Sequence, residues 1–252
     1  MFIDQLEQPA TLKHEENIQI ELEFWKREML KKPSMVNRMT DKVQQKINSY
    51  IPDKVHSVIT ATIKTMVKGV LYGSTHTTSS LPIQDTSFIH REALVREKIS
   101  KYAQTGAAEG GITGAGGFLL SMADFPILIG IKMKLLFEIA ALYGYDVKNF
   151  EERLYILYIF QLAFSSSKGA SKVFLHLQNW DEKQEILPDN PENFDWKTFQ
   201  QEYRDYIDIA KLAQLLPIVG AAVGAVANYQ LLKKLGKTAM MAYRMREKSL
   251  QD

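Results

Sequence analysis

Gly106-Ala-Ala-Glu-Gly-Gly-Ile-Thr-Gly-Ala-Gly-Gly-Phe118 and Leu216-Pro-Ile-Val-Gly-Ala-Ala-Val-Gly-Ala-Val-Ala-Asn228 are the stretches whose reading decides the fold. The first holds six of the chain's fourteen glycines. Both repeat small residues every four positions, at Gly106, Gly110 and Gly114 and again at Gly220 and Gly224. That spacing lines one face of a helix. Glycine inside a helix costs about 1 kcal/mol relative to alanine. Close approach of a second helix to the bare face offsets the cost. The two stretches are therefore predicted to be apolar helical hairpins, packed on each other at the centre of a single all-α domain.

Outside these stretches the pattern is also helical. Ile18, Leu22, Trp25 and Met29 step by four, three and four, which marks one face. Pro33 and Ser34 break the run, and Val36, Met39, Val43 and Ile47 start another. Pro52-Asp53 opens a third helix with Val55, Ile59, Met66 and Val70 inward, ending near Gly73. Residues 74–82, Ser-Thr-His-Thr-Thr-Ser-Ser-Leu-Pro, read as a loop. A helix is expected from about Thr86 to Tyr102, followed by the glycine segment and a break at Asp124-Phe125-Pro126. Ile127 to Tyr143 forms the next arm, with Gly144 as its C-cap. Asn149-Phe-Glu-Glu152 resembles a capping box and launches Leu154, Leu157, Gln161 and Phe164. Residues 188–195 form a polar loop, and Trp196, Phe199, Tyr203, Tyr206 and Ile207 mark a further amphipathic helix. No run alternates with period two, so no strand is expected. The chain divides into an outer helical layer over residues 1–80 and a main helical domain over residues 85–252.

Composition narrows the function. The net charge is +2, with 31 basic and 29 acidic side chains, so no general field draws nucleic acid. Only the tail, with Lys233, Lys234, Arg244, Arg246 and Lys248, is locally basic. Cysteine is absent, which removes disulfides and thiolate metal sites. The amino terminus has no secretory pattern, and the expected location is the cytoplasm or the inner face of the membrane. A span through 112–131 would carry Asp124 near mid-bilayer, at a cost of about 2.5–3.5 kcal/mol. Peripheral attachment is therefore expected in place of insertion.

Catalytic motifs fail on inspection. Gly236-Lys237-Thr238 imitates the end of a P-loop, but the required glycine is Leu231. Ser165-Ser-Ser-Lys168 has the Ser-x-x-Lys spacing of some acyl-transfer enzymes without their supporting motifs. The five histidines form no metal-binding pair. No catalytic residue, cofactor or metal is predicted. The polar residues stranded in apolar sequence are Glu109, Asp124, Glu138, Asp146 and Asn228. Asp124 is expected to cap the helix after Pro126. The alternative is a carboxylate cluster of Asp124 with Glu109 or Glu138, serving a hydrolase or a cation site.

The order of four motifs resembles the EcsC family: Thr105-Gly-Ala-Ala-Glu-Gly-Gly-Ile-Thr-Gly-Ala-Gly-Gly-Phe118, Ala123-Asp-Phe-Pro126, Ile139-Ala-Ala-Leu-Tyr-Gly-Tyr-Asp146 and Leu216 to Tyr229, with Lys237-Thr-Ala-Met-Met-Ala-Tyr-Arg244 in outline. The resemblance covers residues 85–248, and the first 80 residues share only helical character. It implies a bacterial helical protein, whose namesake is encoded beside an ABC transporter, and it transfers no catalytic residue. The reading that follows is a non-enzymatic accessory protein on the cytoplasmic membrane face. An ABC transporter subunit or anionic lipid would be its partner, held by the glycine-rich hairpins and the basic tail.

Overall fold

The computed structural model describes residues 4–31, 53–71, 82–83, 86–114, 117–165, 167–184, 221–247 and 250. Among these, every regular element is a helix: α1 (Asp4–Leu30), α2 (Asp53–Leu71), α3 (Phe88–Gly114), α4 (Gly117–Leu142), α5 (Phe150–Phe164), α6 (Ser167–Leu177), α7 (Trp180–Gln184) and α8 (Ala221–Arg244). The expected helix over 36–47, the loop at 74–81, the polar loop at 188–195 and the helix over 196–207 lie outside the described residues.

The periodic faces turn inward as their spacing requires. Ile18 and Leu22 of α1 are buried, with Trp25 and Met29 packed against the same core. In α2, Ile59, Ile63, Val67 and Val70 form the inward stripe. One continuous cluster of apolar side chains takes residues from all eight helices. The helix buried on almost every side is α5, and its apolar residues run around the whole circumference as such a position demands. Among the described residues the most completely buried helix is thus α5, which contains no glycine.

Helix α3 ends at Gly114 and α4 begins at Gly117, so the chain does not break at Asp124-Phe125-Pro126 as expected. Helix α4 runs unbroken through Pro126. An internal proline costs about 3 kcal/mol. Here it lies exposed while its neighbours Phe125, Leu128 and Ile129 are buried, and that burial holds the helix together. Asp124 is therefore inside a helix and does not start one.

The local signals hold in part. The Tyr145 N–H donates to Ala140 O and the Gly144 N–H to Ala141 O, both at 3.0 Å, which closes α4 with the paired bonds of a Schellman motif. Gly144 takes φ +91°, and any Cβ there would stand 3.0 Å from the Ile83 carbonyl. Asn149 is the N-cap residue of α5, but its side chain makes no cap bond, and Glu152 turns into the core instead of back to the cap. Ser87 caps α3, accepting from the His90 N–H at 3.4 Å.

Helices α3 and α8 pack most extensively and run antiparallel, with Gly106 opposite Leu232, Ile99 opposite Gly236 and Glu92 opposite Arg244. A Cβ on Gly236 would sit 2.5 Å from Ile99 Cγ1 and 2.8 Å from its Cδ1 and Cγ2. Glycine is needed there because the two backbones approach so closely. Helix α1 lies more sparsely across α6 and α8.

Candidate functional site

Helix α8 ends in Tyr243-Arg244-Met245-Arg246, and the described polar chemistry of the interior gathers around this run. Two carboxylates from distant helices meet it. Glu92 of α3, wholly buried, accepts from Arg244 Nε at 2.9 Å and Nη2 at 2.7 Å. It also accepts from the Tyr143 hydroxyl at 2.5 Å, and Arg96 Nη2 lies 2.9 Å away. Glu152 of α5 accepts from Arg246 Nη1 at 2.7 Å and from the Tyr243 hydroxyl at 2.5 Å. Glu92 is thus held by two arginines and a tyrosine, and Glu152 by one of each. Asp181 takes the rest of Arg246, 2.9 Å from Nε and 2.8 Å from Nη2.

Aromatic rings enclose these pairs. Tyr143 stacks on Tyr243 with centroids 5.3 Å apart. The Arg246 guanidinium lies 3.9 Å from the Tyr145 ring centroid and 4.6 Å from that of Tyr155. The Tyr155 hydroxyl donates to Ala242 O at 2.7 Å. Burial, and the charge of the carboxylate beside them, push the phenols of Tyr143 and Tyr243 well up. Burial likewise raises Tyr145 to about 12, against the pull of Arg246. Burial also pushes the Glu152 carboxyl up, against the attraction of Arg246 and the Tyr243 bond. With every oxygen of Glu92 and Glu152 engaged, the cluster fastens α3, α5 and the loop after α4 to the end of α8.

Arg244 and Arg246, expected at a basic surface, are 1% and 7% exposed. Buried carboxylates claim them, since a guanidinium enters an interior only when paired. Lys233 and Lys234 remain exposed on α8, and Lys248 lies outside the described residues. Glu138 meets cations and a phenol rather than a second carboxylate. It accepts from the Tyr102 hydroxyl at 2.7 Å and lies 2.9 Å from Lys98 Nζ. Asp146 accepts the Lys148 N–H at 2.9 Å, a local turn. Asn228 is buried, and its Oδ1 accepts from the buried Lys132 Nζ at 3.3 Å. The side chains of Glu109 and Asp124 lie outside the described residues, as does Gly220. Gly110 and Gly114 fall within α3, and Gly224 within α8.

Ser165 does not stand one helical turn from Lys168. It ends α5 in extended backbone at ψ 150°, and its hydroxyl donates to Gln161 O at 2.7 Å. Among the described residues no group of three His, Asp or Glu side chains could hold a metal ion. No described helix is long and apolar enough to cross a membrane.

A cleft of about 540 Å³ opens beside Arg244, between α1, α3 and α8. Glu21, Arg96, Lys233, Lys234, Lys237 and Arg244 supply its charged lining, and Ile99, Met240 and Met241 much of the rest. Glu21 Oε2 lies 2.8 Å from Arg244 Nη1, and Oε1 lies 3.3 Å from Lys237 Nζ. Burial opposes the charge on Glu21, but Arg244 and Lys237 outweigh it and hold the carboxyl below its usual value of 4.5. A second cavity of about 320 Å³ adjoins along α8 and shares Lys234 and Lys237.

Sequence reasoning passed over Glu92, Glu152, Lys132, Tyr143, Tyr243, Arg96 and Glu21 as site residues. The segments Ile139–Asp146 and Lys237–Arg244 carried part of the signal, for they hold three of the clustered tyrosines and Arg244.

The EcsC protein family's sequence profile matches residues 16–247, well beyond the motifs that begin at residue 105. Protein EcsC of Bacillus subtilis (strain 168) is 46% identical over 222 residues, covering 88% of this chain and 91% of that protein. The uncharacterized protein YdbA of the same organism is 33% identical over 138 residues, covering 55% of this chain and 51% of that one. No solved structure matches the chain.

Proposed function

Starting from a chain that belongs to the EcsC family, we propose a non-enzymatic accessory protein that docks on the cytoplasmic face of the membrane, next to a transporter subunit, through the cationic side of α8. The observation that carries this reading is the line of Lys233, Lys234 and Lys237, all exposed on one face of α8 beside a cleft in which Glu21 is the one carboxylate among the described lining residues. Each lysine near an anionic leaflet contributes about 1 kcal/mol. The buried carboxylates Glu92 and Glu152 favour the same reading over a hydrolase, because both are occupied by arginine and tyrosine and neither lines either described cavity.

The test is co-sedimentation with phosphatidylcholine vesicles, with and without phosphatidylglycerol. Binding should require the anionic lipid and fall away as salt shortens the Debye length to about 3 Å at 1 M. Combined Lys233→Ala, Lys234→Ala and Lys237→Ala should abolish it. Equal binding to neutral vesicles, or full binding by the triple variant, would rule out the cationic face as the docking surface.

A further inference from the structure

We propose that the cleft between α1, α3 and α8 is a discrete site for a phosphate group, and that Glu21 is its built-in competitor. The inference deepens the reading above and rests on the same cationic face. Among the described lining residues, five cations face one carboxylate. Glu92, beneath, neutralises one more charge through Arg244 and Arg96. With Lys234 set aside, Arg96, Lys233, Lys237 and Arg244 still outnumber Glu21 and Glu92 by two among the described residues, in a cavity large enough for a phosphate ester.

Glu21 marks where the anion belongs. Its two oxygens reach Arg244 and Lys237 from one side, at 2.8 and 3.3 Å, the two-oxygen bridging that a phosphate provides. Arg96 and Lys233 stand on the remaining walls without Glu21 in reach. The carboxylate is carried by α1, the most sparsely packed of the three helices around the cleft. Helix α1 makes a sparse contact with the core through Ile18, Leu22, Trp25 and Met29, while Ile20 and Phe24 on its other side are 68% and 65% exposed. A phosphate entering the cleft therefore competes with Glu21 for Arg244 and Lys237 and loosens α1. An anion binding only the loosened state has its apparent affinity reduced by the fraction of chains in that state, and removing Glu21 lifts that reduction.

Trp25 reports the movement, since it lies on α1 with its ring 5.4 Å from that of Phe174. The experiment titrates inorganic pyrophosphate, at ionic strength matched with chloride, and follows tryptophan emission. Trp25→Phe identifies the part of the signal that belongs to α1. The wild type should saturate. Glu21→Gln should bind roughly threefold to tenfold more tightly. Glu23→Gln, which makes the same charge change where the side chain meets only Lys26, should match the wild type. Lys237→Ala should bind more weakly, and far-ultraviolet circular dichroism checks that each variant is folded. Absence of saturation in every variant, or equal tightening by Glu21→Gln and Glu23→Gln, would overturn the proposal. The titration involves no membrane, so it fails or succeeds independently of vesicle docking. A competition arm separates the sources of the phosphate. Release of bound protein from phosphatidylglycerol vesicles by pyrophosphate assigns the site to lipid headgroups. Saturable binding without release assigns it to a soluble phosphate compound.

Discussion

Removing Arg244 tests the central assignment, that this arginine belongs to the fold and not to a docking surface. Arg244→Met keeps most of the apolar stem and deletes the charge. Three charge-assisted contacts disappear, two to Glu92 and one to Glu21. Glu92 is then a fully buried carboxylate stripped of its main partner. Loss of one member of a buried pair typically costs about 3–5 kcal/mol. Arg96 and the Tyr143 hydroxyl still reach Glu92, so the lower end applies, about 3 kcal/mol. For a chain of this size that corresponds to a fall of roughly 6–12 °C in Tm. Urea unfolding of the wild type and the variant gives the free energy. Adding Glu92→Leu to Arg244→Met should recover part of the loss, leaving a coupling of about 2 kcal/mol between the two sites. Lys233→Ala, on the exposed face of the same helix, should stay within about 0.5 kcal/mol of the wild type. A loss below about 1 kcal/mol for Arg244→Met, with no coupling to Glu92, would refute the reasoning.

Gly236→Ala should destabilise by roughly 1–3 kcal/mol in thermal melts, because the new methyl meets the β-branched Ile99 and not a flexible chain end. Ile99→Ala in the same molecule should restore part of the loss, and a neutral Gly236→Ala would show that the two helices are farther apart. In acid, Glu21 contributes stability above its unfolded value near 4.5 that is lost as pH falls through its lowered folded value. The difference in Tm between wild type and Glu21→Gln should therefore shrink below about pH 4.5, and a difference independent of pH would contradict the ion pairing. In base, Tyr143, Tyr155 and Tyr243 should stay as phenols until the protein unfolds, so their phenolate absorbance should rise together with loss of helical circular dichroism. Early ionisation of all eleven tyrosines would mean the cluster is open to water.

The parts of the fold that sequence spells out are those governed by near neighbours. The inward face of α1 follows from a four-residue step, and the end of α4 from a glycine that can take positive φ. The parts it hides depend on distant partners. Pro126 reads as a break because the reading is local, whereas burial of Phe125 and Ile129 against other helices carries α4 past it. Arg244 and Arg246 read as a solvated tail because their partners lie 152 and 94 residues away, and neither Glu92 nor Glu152 stands out beside other helical glutamates. The cationic cleft was half legible. Lys233 and Lys234 appeared as basic residues, but the α3 and α1 contributions, Arg96 and Glu21, come only with the packing. The family motifs pointed to the right segments, and the geometry supplies the reason that tyrosine and arginine stand in them.

Close packing and the charge of the cleft are one problem in this molecule. Gly236 lets α3 lie against α8, and that approach carries Glu92 to Arg244 and brings Arg96 to the cleft wall. Without it, Arg244 would be an uncompensated buried cation, and the cationic face would lose its α3 side. Glu92 has a second effect. It draws the inner edge of Arg244, through Nε and Nη2, into the core, while Nη1 stays directed at Glu21. One arginine thus divides its donors between a permanent partner that fixes the fold and an exchangeable one that closes the cleft. The difference between the partners is burial: Glu92 is sealed from water, whereas the Glu21 side chain is 43% exposed. An exposed ion pair contributes at most about 1 kcal/mol, whereas breaking a buried one costs several. An arriving anion therefore exchanges with Glu21 and leaves Glu92 in place, so the cleft can open at α1 while α3 and α8 stay clamped.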